Sequence, residues 1–149
     1  MKRLIGEVDI KCNIEILLDE DYVNVRYDSD NKIIIWEPLD KMNSEQFRHS
    51  FEVGVEKFKD LYNKGIKINW LNIVEKLHGA DAKDIKWIDT EVNKWGDNYG
   101  VKKVAFTTPI NVLAFGGIFI YMNFSKISKR NLETKRFENK EDAMKWLKD

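Results

Sequence analysis

The chain has 149 residues, enough for one domain whose hydrophobic core needs neither disulfides nor metals. Its 25 Lys+Arg balance 25 Asp+Glu, so it lacks the global basic field of a dedicated nucleic-acid binder, and no nucleic-acid partner is expected. Cys12 is the single cysteine, which excludes an internal disulfide and a cysteine-based metal site and fits a reducing, cytoplasmic compartment.

The opening stretch is interrupted by Glu7, Asp9 and Lys11, so it does not read as a signal peptide. Tyr22, Val23, Val25 and Tyr27 form a β-rich run. Asp28-Ser29-Asp30-Asn31 is a turn cluster, and Ile33 to Trp36 is a second run that Pro38 ends. Together these predict a hairpin. Asn43 or Ser44 caps the next helix, with Gln46 placed for a capping box to Asn43. Phe47, Phe51, Val55, Phe58, Leu61 and Tyr62 then recur at helical spacing as one apolar stripe. Asn63-Lys64-Gly65 is the stop.

Ile66, Ile68 and Trp70 alternate as a third strand, which Leu71 to Val74 continue or turn out of. A loop over 75–83 leads to a second helix capped by Asp81 or Asp84, with Ile85, Ile88, Val92, Trp95 and Tyr99 as its stripe and Gly100 as its end. Trp87 lies beside that stripe, at its packing margin. Val101 to Phe106 is a fourth strand, ended by Thr107-Thr108-Pro109. A short strand near Leu132 to Phe137 follows. Asn139 then caps a last helix holding Ala143, Trp146 and Leu147, and Trp70, Trp95 and Trp146 fit core positions.

Residues 110–124 are apolar nearly all round if helical, yet shorter than the roughly 18–20 residues a membrane span needs. Gly116-Gly117 costs such a helix about 2 kcal/mol relative to alanine, and a hairpin turning at the two glycines is the competing local form. A helix supplies the strand–helix unit otherwise missing here. Its apolar surface fits a buried core, a dimer interface, or the lining of an apolar-ligand pocket with Phe106, Phe115, Phe119 and Tyr121.

The residues carry little catalytic signal. No zinc-protease, phosphate-cradling, dinucleotide or nucleophile-elbow motif occurs, so no catalytic residue is assigned and no cofactor is expected. His49 sits off the apolar stripe of its helix and faces solvent. Glu75, His78 and Asp81 offer one nitrogen and two oxygens in a loop, at a spacing that matches no ligand motif; no metal site is assigned. The basic residues Lys126, Lys129, Arg130, Lys135 and Arg136 read most simply as a solvated loop and strand edge.

Strands alternating with helices predict an α/β fold: a mixed, mainly parallel sheet of four to five strands, with an N-terminal hairpin and about four flanking helices. No repeat, low-complexity tract or linker divides 1–149, which reads as a single domain. Four stretches, Tyr22–Asp30, Ile68-Asn69-Trp70-Leu71-Asn72, Val104-Ala105-Phe106 and the ending from Thr134 to Leu147, resemble the STAS superfamily of anti-sigma-factor antagonist-like (SpoIIAA-like) domains, and within it the bacterial STAS/SEC14-like proteins. The resemblance covers roughly residues 20–149. It implies a non-catalytic interaction or regulatory module that binds a protein partner or a second copy of itself. The alternative is a domain that binds a small apolar or lipid-like ligand. Regulatory members carry a phosphorylatable Ser or Thr at the start of the helix after the third strand, whereas residues 72–84 here contain neither. The partner- or ligand-binding candidates are Asn72, Glu75, His78, Asp81, Phe115, Phe119 and Tyr121.

Overall fold

The computed structural model describes residues 13–79, 81–92, 100–111, 116 and 133–149. Six strands form one sheet in the order β1-β2-β3-β4-β5-β6: Ile14–Glu20, Val23–Asp28, Ile33–Pro38, Asn69–Asn72, Lys103–Phe106 and Glu133–Arg136. The pairs β1–β2 and β2–β3 are antiparallel, and β3 to β6 pair in parallel. Helix α1 (Ser44–Asn63) connects β3 to β4. Helix α2 (Ala82–Trp87), prolonged by a π-helical turn over Ile88–Val92, follows β4, and α3 (Lys140–Lys148) follows β6.

The expected hairpin is β2–β3. Asp28 closes its turn by accepting from the Asn31 backbone N–H (3.2 Å) and side-chain amide (2.8 Å). Among the described residues the sheet has six strands rather than four to five. They hold three helices against about four expected, and the remaining one, expected over 110–124, lies mostly outside the described residues. The additional strand is β1, whose register against β2 shifts between Ile16 and Leu18. A bulge breaks the two-residue alternation by which strands are recognised, and β1 is mostly exposed, so its pattern is mute.

Helix α1 begins with the capping box: the Gln46 N–H donates to Asn43 Oδ1 (2.8 Å) and the Asn43 N–H to Gln46 Oε1 (3.0 Å). It ends with Gly65 at φ 79°, where Ile66 N–H reaches the Leu61 carbonyl and Gly65 N–H that of Tyr62, each at 2.9 Å. That double bond is a Schellman closure, and the left-handed residue in it favours glycine.

The buried stripe of α1 (Phe47, Phe51, Val55, Phe58 and Leu61) lies on one sheet face against Val23, Val25, Tyr27, Ile34, Trp36 and Trp70. Phe51 is stacked between two tryptophans, with ring centroids 4.3 Å from Trp36 and 6.0 Å from Trp70. Both indole N–H groups are satisfied inside the core. Trp36 donates to Ser50 Oγ (2.7 Å), which donates to the Phe47 carbonyl, and Trp70 donates to Asn72 Oδ1 (2.8 Å). Unpaired, each would cost about 1–3 kcal/mol. Tyr62, expected in the stripe, is exposed on its flank. Burial raises the Tyr27 phenol above its ordinary 10.0, and the Asp28 and Glu15 charges add to the shift. The unfolded chain therefore loses this proton first. The contribution to stability is complete below the ordinary value and is lost as pH rises through the folded one.

The opposite face packs Ile33, Ile35, Leu71, Ile73 and Ala105 against Ala143 and Leu147 of α3. Alternate residues of β3 enter different clusters, so this strand is apolar almost throughout, as a buried strand is; in β4, Trp70 and Leu71 serve the two faces between Asn69 and Asn72. Asn139 caps α3 through the Asp142 N–H (2.9 Å). The α3 carbonyls of Trp146 and Leu147 accept from Lys103 Nζ (2.9 Å) and Asn69 Nδ2 (3.0 Å). Trp146 is half-buried at the margin of this cluster, under Lys103, rather than inside it. A long lysine reaching the last carbonyls of α3 has to cross that ring.

Gly54 sets how closely α1 approaches the sheet. A Cβ there would overlap Trp70 Cη2 and come within 3.1 Å of Cζ3. Alanine favours a helix interior by about 1 kcal/mol over glycine, but overpacking a fixed ring costs about 1–3 kcal/mol. Gly54→Ala is therefore expected to lower the urea midpoint, and by less when Trp70→Phe is already present. A midpoint raised by the alanine would show that the ring yields.

Candidate functional site

The end of β4 and the stretch after it hold four of the residues singled out from sequence. Asn72 ends β4, is buried, and is engaged with Trp70. Its backbone carbonyl accepts from the Thr107 N–H (3.0 Å), while Thr107 Oγ1 accepts from the Val74 N–H (2.8 Å), which locks the ends of β4 and β5 together. The Glu75 carbonyl accepts from the Ile110 N–H (3.1 Å). His78 is exposed, with Nε2 3.7 Å from Asp40 Oδ1. Asp81 is the N-cap of α2 and accepts from the Lys83 N–H (2.7 Å). Each thus has its own neighbour. Among the described residues no group of three His, Cys, Asp or Glu could hold a metal ion. Phe115, Phe119 and Tyr121 lie outside the described residues, as do Trp95, Tyr99, Lys126, Lys129 and Arg130.

A different constellation forms where α1 meets α2. Asp84, one of the two expected caps, is instead buried and turned toward α1. Its Oδ1 accepts from Arg48 Nε (2.8 Å) and its Oδ2 from Ser44 Oγ (2.7 Å). The Arg48 guanidinium also lies over the Trp87 ring, 5.2 Å from the centroid. One arginine therefore answers a buried carboxylate and covers one side of a half-buried indole, and both ties fix its orientation.

Beside it opens a groove of about 560 Å³, lined by Tyr22, Glu45, Gln46, Arg48, His49, Glu52 and Trp87. Residues 45, 48, 49 and 52 follow the i, i+3, i+4, i+7 rule, so they share the face of α1 turned away from its buried stripe. Tyr22 is placed by the β1–β2 turn, where its carbonyl accepts from the N–H groups of Leu39 (2.8 Å) and Asp40 (3.3 Å). His49 is exposed, as its place on the helix predicts.

No family model matches this chain, and neither curated proteins nor solved structures give a significant match.

Chemically, the groove presents two aromatic rings, two carboxylates, an imidazole and an arginine that is already engaged. Sequence reasoning singled out Trp87 as a margin residue but passed over Tyr22, Glu45, Arg48, Glu52 and Asp84 as groove or supporting residues. A local signal for the helical part existed in the polar period 45/48/49/52. For Asp84 there was none, since an aspartate in the first turn of a helix has the same local signature whether it caps or pairs.

Removing Arg48 leaves the buried Asp84 carboxylate with the Ser44 hydroxyl alone. Arg48→Ala is expected to cost about 1–3 kcal/mol in urea unfolding. Adding Asp84→Ala should cost less than it does in the wild-type background, because no unpaired carboxylate is then left. Strictly additive losses would contradict the coupling.

Proposed function

We propose that this chain is a non-catalytic interaction module of the STAS-like type, which binds a protein partner through the α1–α2 groove. The observation that carries the proposal is the groove itself. It is open, it lies on the outer face of a firmly packed helix, and it is lined by Tyr22, Arg48 and Trp87. Tyrosine, arginine and tryptophan are the residue types in which binding energy concentrates at protein interfaces. Arg48 is pre-ordered by Asp84, so little side-chain freedom remains to be lost on docking. The STAS-like reading rests on the sequence resemblance of residues 20–149; the described sheet agrees with it in being mixed α/β, with six strands where four or five are implied.

The experiment is site-directed photocross-linking in cells of the source organism. A benzophenone amino acid replaces His49, which is exposed in the groove, and in a control replaces Lys145, exposed on α3. A discrete protein adduct from the His49 position, absent from the Lys145 position, is the expected result. Equal labelling from both positions, or none from the His49 position, would remove the groove as an interaction site.

A further inference from the structure

The charge of the groove selects its partner. Among its described lining residues, Arg48 is the single fixed cation, and its charge is answered by Asp84 at 2.8 Å. Glu45 and Glu52 are exposed, and neither has an ion pair or side-chain hydrogen bond to any described residue. The groove floor thus carries two unanswered carboxylates, with the rings of Tyr22 and Trp87 for apolar contact.

Glu45 and Glu52 are seven residues apart on α1, a backbone advance of about 10.5 Å at 1.5 Å per residue. A second helix has the same rise, so basic side chains seven residues apart on it meet both. An extended strand matches this surface less well. Strands bind by adding backbone hydrogen bonds to a sheet edge, and the outer face of a helix offers none.

Resting on the reading of the groove as a protein-docking site, we infer that its partner is a basic amphipathic helix. Its Lys or Arg residues, seven positions apart, pair with Glu45 and Glu52, and an apolar residue between them packs on Tyr22 and Trp87. Exposed ion pairs steer and align such a helix, while the rings supply most of the contact area.

The test pans a phage-displayed library of random 16-residue peptides on the full chain at low salt. Binding of the selected peptides is then compared between wild type and the double variant Glu45→Gln/Glu52→Gln, whose circular dichroism is checked for an unchanged fold. Enrichment of Lys or Arg pairs seven apart around an apolar residue is expected. Neutralising both glutamates should weaken those peptides about tenfold, as two exposed pairs of ordinary strength imply. The Trp87→Ala variant should weaken them as well. Peptides without the basic spacing, peptides indifferent to the loss of both glutamates, or no enrichment at all would overturn the inference. The cross-link from the His49 position decides separately whether the groove docks a protein.

Discussion

Everything on the α1 face depends on how the Trp70 ring lies beneath Gly54. The missing side chain at that one helical position lets α1 settle on the aromatic row of β3 and β4. Phe51 then slots between Trp36 and Trp70 with its ring stacked on both. Large rings bury much apolar area, but they gain from it only if their polar edges are also satisfied. Ser50 and Asn72 meet that condition, one from the helix and one from the sheet. The core is thus apolar packing with two internal hydrogen bonds that permit a single orientation of each indole.

The same placement of α1 builds its outer face. A helix fixed in rotation by its buried stripe has no freedom left on the solvent side, so Glu45, Arg48, His49 and Glu52 are presented as a set. The Asp84 carboxylate extends this rigidity to α2. By holding Arg48 from below, it places the guanidinium over Trp87 and joins two helices that are separated in the chain by the whole of β4. A buried carboxylate is unfavourable unless its partners are in place, so the pair ties the register of α2 to that of α1.

Where sequence and structure agree, the determinants are local. Alternation in Val23, Val25 and Tyr27, the box of Asn43 and Gln46, and the cap at Asn139 each depend on residues within a few positions of one another. Where they part, the decisive partner is distant. Asp84 and Arg48 are 36 residues apart, and nothing near Asp84 distinguishes a cap from an ion pair. Strand β1 escaped because its bulge interrupts the alternation, and because an exposed strand on the rim of a sheet has little apolar pattern to show. Trp146 reads as core from its spacing, yet it lies near the end of α3 at the margin of its cluster, where Phe137 and Lys103 pack against the ring. For the groove, the helical period of its polar residues was legible. What was missing was Tyr22, which a turn brings in from another part of the chain.

The indole N–H groups of Trp36 and Trp70 report directly on whether this stacked core is the unit that holds α1 to the sheet. Native-state hydrogen exchange followed by NMR gives the opening free energy at each. If Phe51, Gly54 and the two hydrogen bonds act as one, both protons exchange only through global unfolding, with a free energy equal to that from urea denaturation. Exchange of either indole at a clearly lower free energy would mean that α1 lifts from the sheet on its own, and that the outer face it presents is not held rigid by the core.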